Sequence, residues 1–372
     1  MNVEREIAGL ALPFATGIFI STSEIWPSSH ICSVLSLAAT AIPLLYLTHP
    51  CHKKAGSLAI LVVIASAAFF CGIITGSTHR LLSVSPTHAW FPAEHILEAG
   101  KRMSEAVNRI PFSDQETNGI INALLTGDRS GLPKETAASF RASGASHILA
   151  LSGLHLGIIY WIVNRLMRVL GNSMRAASAR SLATLALCGA YTMMTGGGAS
   201  IVRAFIFIAI SETARLTGRY RSTGSLLFTA LLIQLALSPM SVHTVSFQLS
   251  YAAMAGIAFI YPRLAGMWPK PENGKGGLIR RIWESASMSI SCQLTTGPLA
   301  WFYFRSFPQY FLITNMIALP LTGLIIPFAL LTLILDIMGI CPHIMTRATE
   351  CLVKTLTAAL ETISSIQIIQ NP

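Results

Sequence analysis

Charge is scarce in this chain: only 11% of its 372 residues are Asp, Glu, Lys or Arg, against 52% hydrophobic residues and a mean hydropathy of +0.59. That balance excludes an ordinary soluble domain and fits a polytopic membrane protein. No C-x-x-C pair occurs among the seven cysteines (Cys32, Cys51, Cys71, Cys188, Cys292, Cys341 and Cys351), most of which lie in apolar runs. They read as small buried hydrophobes, so neither a disulfide framework nor a zinc site is expected. There is no P-loop, so the chain does not itself consume nucleotide. There is no G-x-S-x-G nucleophile elbow. Low-complexity segments and soluble-domain linkers are missing too; the most linker-like piece, Pro269–Gly277, separates two apolar windows.

What is present is a succession of apolar windows near the ~20 residues needed to cross a bilayer. They fall at about 7–22, 31–48, 57–76, 146–164, 181–196, 199–217, 224–238, 244–261, 284–304 and 309–338, with a weaker one at 343–366. The fold class expected is all-α, a polytopic α-helical membrane protein with about ten or eleven segments. Glu4 and Glu6 in the short N-terminal region argue for a retained first helix over a signal peptide. If every window crosses once, Lys53 and Lys54; Arg165, Arg168, Arg175 and Arg180; Arg215, Arg219 and Arg221; and Arg263, Lys270, Lys275, Arg280 and Arg281 all fall on one side. Cytoplasmic loops are Lys/Arg-rich for topological reasons. The N-terminus is therefore expected inside and the long Gly76–Ser146 segment outside, and the formal charge of +10 needs no ligand to explain it.

Four regions follow: a membrane region at 1–76, a short amphipathic outside segment at 77–117, a core at 118–340 and a C-terminal helix at 341–372. In Pro92–Ile110, Ile96, Leu97, Met103, Val107 and Ile110 share one helical face, which should rest on the outer membrane-water boundary. Ser113-Asp-Gln-Glu116 reads as a capping box starting a helix through Leu125. The GDRSG turn closes that helix, Pro133 starts another and Gly144 ends it.

The polar residues worth chemistry sit in or beside apolar windows, where they are expensive unless they face protein or water. Ser146, His147, Ser152 and His155 ride on the window at 146–164; on one continuous helix the two histidines would lie within about 80° of each other. Gly153 and Gly157 form a G-x-x-x-G for close helix packing. His155 reads either as a packing histidine satisfied by its neighbours or as part of a path. An intramembrane hydrolase would use Ser152 or Ser146 as nucleophile, His155 or His147 as base and Asp128 as orienter. A metal site from His147, His155, Asp128 and Glu135 lacks the i, i+4 pairing that shares one ion on a helix. Arg203, one turn inside an apolar helix, reads as a path residue, as snorkelling outward, or as paired with Glu212 or Asp336. Gln248, Gln293 with Thr295 and Thr296, and Asn315 place amides and hydroxyls at depth. Pro298, Pro320 and Pro327 accompany them, so Tyr310–Met338 is expected to be broken or re-entrant. Arg129, Lys134, Arg141, His147 and Arg203 are candidates for a basic funnel, and Tyr160 and Trp161 for base stacking or interface anchoring.

Taken in order and spacing, these motifs resemble the ComEC-type competence family, polytopic channels that bring single-stranded DNA into bacteria. The resemblance rests on Ala123–Ile159 (LLxGDRSGL, Phe140, SGxSHxLALSGLHxG), Ser200–Arg203, Ser238-Pro239 with Phe247-Gln-Leu-Ser250, Gln293–Leu299 and Asn315–Pro320. It implies a DNA-uptake channel for natural transformation in the bacterial inner (plasma) membrane, multi-pass, with Asp128, Arg129, Arg141, His147, Ser152, His155, Arg203, Gln248, Gln293 and Asn315 as candidates for the DNA path. Full-length members carry an OB-like domain outside and often a metallo-β-lactamase-like nuclease. Here Gly76–Asn118 is too short for an OB barrel and no H-x-H-x-D-H motif precedes Pro372, so the expectation is the channel core alone, not an enzyme, with no cofactor or metal. Its implied partners are single-stranded DNA, the lipid bilayer, a separate receptor, nuclease and cytoplasmic motor, and a second copy of the chain in a homodimer. Two alternatives stay open: a transporter or assembly scaffold of the same family with another substrate, and the hydrolase.

Overall fold

The computed structural model describes residues 3–23, 57–81, 94–171, 173–218, 222–268, 277–305 and 309–370. The span expected at 31–48, Cys32, Cys51, Lys53, Lys54, Arg219, Arg221 and residues 269–276 lie outside them. The described residues are all-α, without a strand: α1 (Val3–Thr22), α2 (Ser57–Leu81), α3 (Glu94–Arg109), α4 (Gln115–Thr126), α5 (Lys134–Ala142), α6 (Ser146–Leu149), α7 (Gly153–Leu166), α8 (Met174–Met194), α9 (Ala199–Leu216), α10 (Thr223–Leu237), α11 (Val245–Ala255), α12 (Tyr261–Gly266), α13 (Leu278–Phe304), α14 (Phe311–Ile337) and α15 (His343–Gln370). They form two compact units, Met1–Pro92 with Ala209–Ala258, and Ala93–Ile208 with Phe259–Pro372. Val245–Gly266 and Phe311–Ile337 are long and apolar enough to cross a membrane, while Ile64–Thr78 and Thr223–Leu237 are apolar but shorter. The expected ten or eleven crossings are not reached among the described residues. Helices such as α7 and α10, at 14 and 15 residues, stop short of the ~20 that a straight crossing needs.

In the first unit α1 and α2 touch almost backbone to backbone. A Cβ built at Gly17, Gly72 or Gly76 would stand 2.1–2.2 Å from Phe69 O, Phe14 O and Ser21 Oγ respectively. The contacts advance together along both helices, so the two run parallel. Gly72-x-x-x-Gly76 is the small-residue spacing that permits such an approach. α10 also runs parallel to α1: Ser222 Oγ donates to Glu4 Oε2 (3.0 Å) at one end, and Thr22 Oγ1 meets His243 Nε2 (2.7 Å) at the other. Ala11, Ile18, Leu231, Leu235, Val242 and Phe247 fill the core between those ends.

The spine of the second unit is α14. Its buried face carries Thr314, Thr322 and Thr332 beside Ala318, Ile325 and Ala329, while Ile313, Ile317, Leu324, Leu331 and Ile334 are exposed. Ile326 and Leu333 are buried with them, so the inner face mixes hydroxyls, small residues and aliphatics while the outer face is uniformly apolar, which suits a helix set in lipid. Pro320 and Pro327 do not break it, contrary to the expectation for Tyr310–Met338. Each removes one backbone donor, but burial against α4 and α15 holds the axis, and Gly323, four residues before Pro327, presents no Cβ where the ring meets the preceding turn.

The break falls elsewhere. The window at 146–164 divides into α6 and α7, with Ala150 (ψ 128°) and Ser152 (φ −125°, ψ 173°) extended between them. His147 and His155 therefore do not share a helix, and the angular relation expected of them is lost. α3 differs as well: Val107 and Ile110 are buried and Met103 packs on the same core, so protein covers the side expected to rest on lipid. Asp114, one residue later than expected, caps α4 by accepting from the Thr117 N–H (2.7 Å). Ser113 turns to α15 instead, donating to Glu350 Oε2 through its N–H (3.3 Å) and Oγ (2.9 Å). Gly127 at φ +80° ends α4, Pro133 starts α5, and Gly144 at φ +82° closes it, as the turn residues predict. Of the five described cysteines only Cys188 is buried; Cys71 and Cys351 are exposed.

The crossing of α1 and α2 is testable. Gly72→Ile forces the backbones apart and should lower the stability of the detergent-solubilised protein by about 1–3 kcal/mol, while Gly198→Ala, which meets open space, should leave it unchanged. Thermal unfolding of both variants against the parent measures this.

Candidate functional site

A helix interrupted beside an apolar core leaves peptide groups that need partners. At Ala150–Ser152 the partners come from the two motifs that dominate the sequence. Arg129 of the GDRSG loop donates from Nε to Leu149 O (3.2 Å), the carbonyl at the end of α6. On the other side of the break Ser152 caps α7: the Leu154 N–H donates to Ser152 Oγ (3.3 Å), and the Ser152 N–H donates to His155 Nδ1 (3.2 Å). This is a capping box in which histidine takes the place usually held by Glu or Gln. Acceptance at Nδ1 places the proton of a neutral ring on Nε2, which is buried and unpartnered among the described residues. The loop and the break also touch directly, since a Cβ at Gly127 would lie 2.5 Å from Leu151 Cδ1.

The GDRSG loop is in turn held by a polar network. Asp128 Oδ1 accepts from the Ser130 N–H (2.9 Å) and Oδ2 from Ser104 Oγ (3.1 Å) of α3. Asn122 Nδ2 donates to Ser104 Oγ (2.7 Å), and Thr126 Oγ1 lies 2.8 Å from Asn122 Oδ1 and accepts from the Asp128 N–H (3.2 Å). The Ser130 bonds, backbone first, hold the Asp128 carboxyl below its ordinary range against the opposing effect of burial. Tyr191 of α8 fixes the end of α4 by donating its hydroxyl to Leu125 O (2.7 Å). Ser104, Asn122, Thr126 and Tyr191 were invisible as site residues in the sequence, because nothing local ties them to GDRSG.

The remaining candidates scatter. Arg141 and His147 are exposed at the two sides of the Gly144 turn, with His147 Nδ1 3.1 Å from Gly144 O. Arg203 is only 3% exposed, so it does not snorkel; its Nη2 donates to Ser200 Oγ (3.0 Å) and Ser200 O (3.3 Å). Arg129, Lys134 and Arg141, by contrast, are exposed. Gln248, in the first unit, donates to Val242 O (3.0 Å). Gln293 is half-buried on α13, where Ser287, Ser289 and Ser291 are also buried. Asn315 follows Thr314 on α14 with a buried Oδ1 that has no partner among the described residues. Gly153 packs as expected, facing Ala204 Cβ of α9 at 3.4 Å from its would-be Cβ. Gly157 does not: among the described residues nothing stands within 4 Å of its would-be Cβ, and it opens onto a groove of about 370 Å³ shared with Trp161, Gly323 and Pro327.

Chemically, the arrangement offers exposed cations around a turn and a rigidly held interruption of the backbone. Ser152 Oγ does lie 3.1 Å from His155 Nδ1, but that contact is the local geometry of a cap, and both oxygens of Asp128 are engaged elsewhere.

Two measurements test the interlock. Gly127→Ala must adopt φ +80° and crowd Leu151, so it should cost about 1–2 kcal/mol, whereas Gly157→Ala should be neutral or up to about 1 kcal/mol stabilising; thermal unfolding in detergent compares them. Because the Asp128 carboxyl is held low, its contribution is fully present above the ordinary carboxylate range and is lost as pH falls through and below it. Protease sensitivity of the GDRSG loop should rise in that acid window, and Asp128→Asn should show the raised sensitivity already at neutral pH.

Residues 124–372, more than half of the chain, match the family described as Competence protein. Similar proteins include ComE operon protein 3 of Bacillus subtilis, 26% identical over 57% of this chain and 25% of that protein. The uncharacterized protein YcaI of Escherichia coli is 24% identical over 60% of this chain and 30% of its own length. Competence protein ComA of Neisseria gonorrhoeae is 24% identical over 57% and 31%. The chain thus spans less than a third of the length of these curated relatives. No solved structure matches it. The loop and the broken helix that lock together here both lie within the matched residues, and the chain belongs to the Competence protein family.

Proposed function

We propose that this chain is the membrane channel core through which single-stranded DNA enters a bacterial cell during natural transformation. The observation that carries the reading is the helix break at Ala150–Ser152, held open by the GDRSG loop within the family's matched region. Irregular backbone at membrane depth is tolerated where it meets protein or lines a water-filled path. The exposed cations Arg129, Lys134 and Arg141 suit a polyphosphate backbone. The exposed apolar face of α14 supports residence in lipid, and the parallel run of α1, α2 and α10 supports the loop alternation that puts the N-terminus in the cytoplasm of an inner-membrane protein with about ten or eleven segments. In this reading the chain catalyses nothing and needs no cofactor; a receptor, a nuclease and a cytoplasmic motor are separate proteins, and a second copy of the chain is a candidate partner.

A hydrolase draws on the Ser152–His155 contact alone, and undiminished function of Ser152→Ala at normal abundance would dismiss it. A family member with another substrate predicts normal DNA entry after gene deletion. The channel reading predicts instead that labelled transforming DNA still binds outside but no longer reaches the cytoplasm. Within it, Arg203→Ala should reduce entry several-fold more than Arg165→Ala at matched protein levels, because Arg203 is buried and Arg165 exposed; equal losses would count against Arg203 in the path.

A further inference from the structure

The chain segment from Ser113 to Ser143 reaches both ends of α14. At one end Thr314 Oγ1 donates to Ser143 O (2.8 Å). At the other, Thr332 Oγ1 meets Thr349 Oγ1 (2.9 Å), and the next residue of α15, Glu350, accepts from Ser113. Thr314 and Thr332 are 18 residues apart on one continuous helix, which at 1.5 Å per residue is about 27 Å. That is close to the ~30 Å thickness of a bilayer's hydrocarbon core. The segment carries polar groups at its two ends, and its two helices bury apolar residues between them, joined by the GDRSG turn, in and just after which Arg129 and Lys134 stay exposed. Arg141, Ser146 and His147 are exposed at the Ser143 end; Asp114 and Lys354 pair (3.0 Å) at the other. Ile120, Ile121, Leu124, Leu125 and Phe140 are buried in the core shared with α14 and α15.

At the Ser113 end lies a groove of about 590 Å³, lined by Ser113, Arg347, Glu350, Cys351, Lys354 and Thr355. Lys354 is held by Asp114 and Glu350, but Arg347 is exposed and makes no ion pair among the described residues. Arg347, Cys351 and Lys354 follow one another at i, i+4 and i+7 on a single face of α15.

Resting on the channel reading above, we propose that this groove is the cytoplasmic mouth of the DNA path, contacting the phosphodiester backbone through Arg347, and that the chain from Ser113 to Ser143 runs from the inner side to the outer face. Loop alternation puts Ser146 and the start of α14 outside, and one crossing of α14 then puts the groove at the inner side. The expectation that all of Gly76–Ser146 lies outside gives way for its later part.

The native thiol of Cys351, exposed in the groove, makes the test direct. Two forms of the full chain are compared, one keeping Cys351 as its only cysteine and one carrying Ser146→Cys alone. A membrane-impermeant maleimide is applied to spheroplasts and to inverted vesicles. The thiol at position 351 should react only in inverted vesicles and that at 146 only in spheroplasts; reaction of both from the same face would overturn the proposal. With single-stranded oligonucleotide in transit, labelling at 351 should slow several-fold, and Arg347→Glu should abolish that protection and lower DNA entry at matched protein level. If the parent imports DNA while neither labelling nor the Arg347→Glu variant responds, the mouth is wrong and the channel reading survives. If the parent imports none, the channel reading itself fails. Slowing by added anionic lipid but not by oligonucleotide would make the groove a lipid site and overturn the proposal.

Discussion

Backbone N–H and C=O groups withdrawn from water must find partners inside the protein, and in the second unit that demand is concentrated at Ala150–Ser152. Most of the neighbouring polar architecture answers it. Arg129 supplies a donor to the Leu149 carbonyl, Ser152 and His155 cap the helix that resumes, and Asp128 shapes the turn from which Arg129 reaches across. Ser104, Asn122 and Thr126 then satisfy Asp128 and the end of α4. The residues that stand out in the sequence as chemistry are, in the fold, members of one hydrogen-bonded bracket.

That arrangement changes what the conspicuous polar residues mean. Asp128 and His155 hold backbone, which makes them positioning residues for the loop and the break, while the exposed cations Arg129 and Arg141 keep nitrogen donors available at the surface. Arg129 does both, because a guanidinium has five donors and the Leu149 carbonyl uses only the one on Nε. The spine α14 completes the picture from the other direction. Its threonines bond their own helix or Ser143 and Thr349, so it carries hydroxyls inward with partners, and its apolar face is exposed.

Much of the fold was legible in the sequence wherever a local rule decides. The turn residues Gly127, Pro133 and Gly144 mark the ends of α4 and α5 because φ > 0 and a missing N–H are properties of single residues. The proline in α14 misled for a related reason: a freed carbonyl is a local cost, and whether it breaks a helix depends on what is packed around it. The small-residue rule had the same limit. Gly153 and Gly157 look alike in the sequence, yet one meets Ala204 and the other opens a groove, while Gly72 and Gly76 meet α1 at backbone distance.

The sequence by itself determined the all-α class, the strongly apolar composition and the family signature, because composition, window length and motif order are all properties of the linear chain. Only the tertiary structure decided which helix is broken, which glycine packs and which polar residue holds backbone. It also grouped Ala209–Ala258 with the N-terminal helices, and brought Ser113 to Glu350, 237 positions away, and Thr314 to Ser143. Each of these turns on partners remote in sequence, and a side chain's role at depth is set by whichever group is brought within about 3 Å of it.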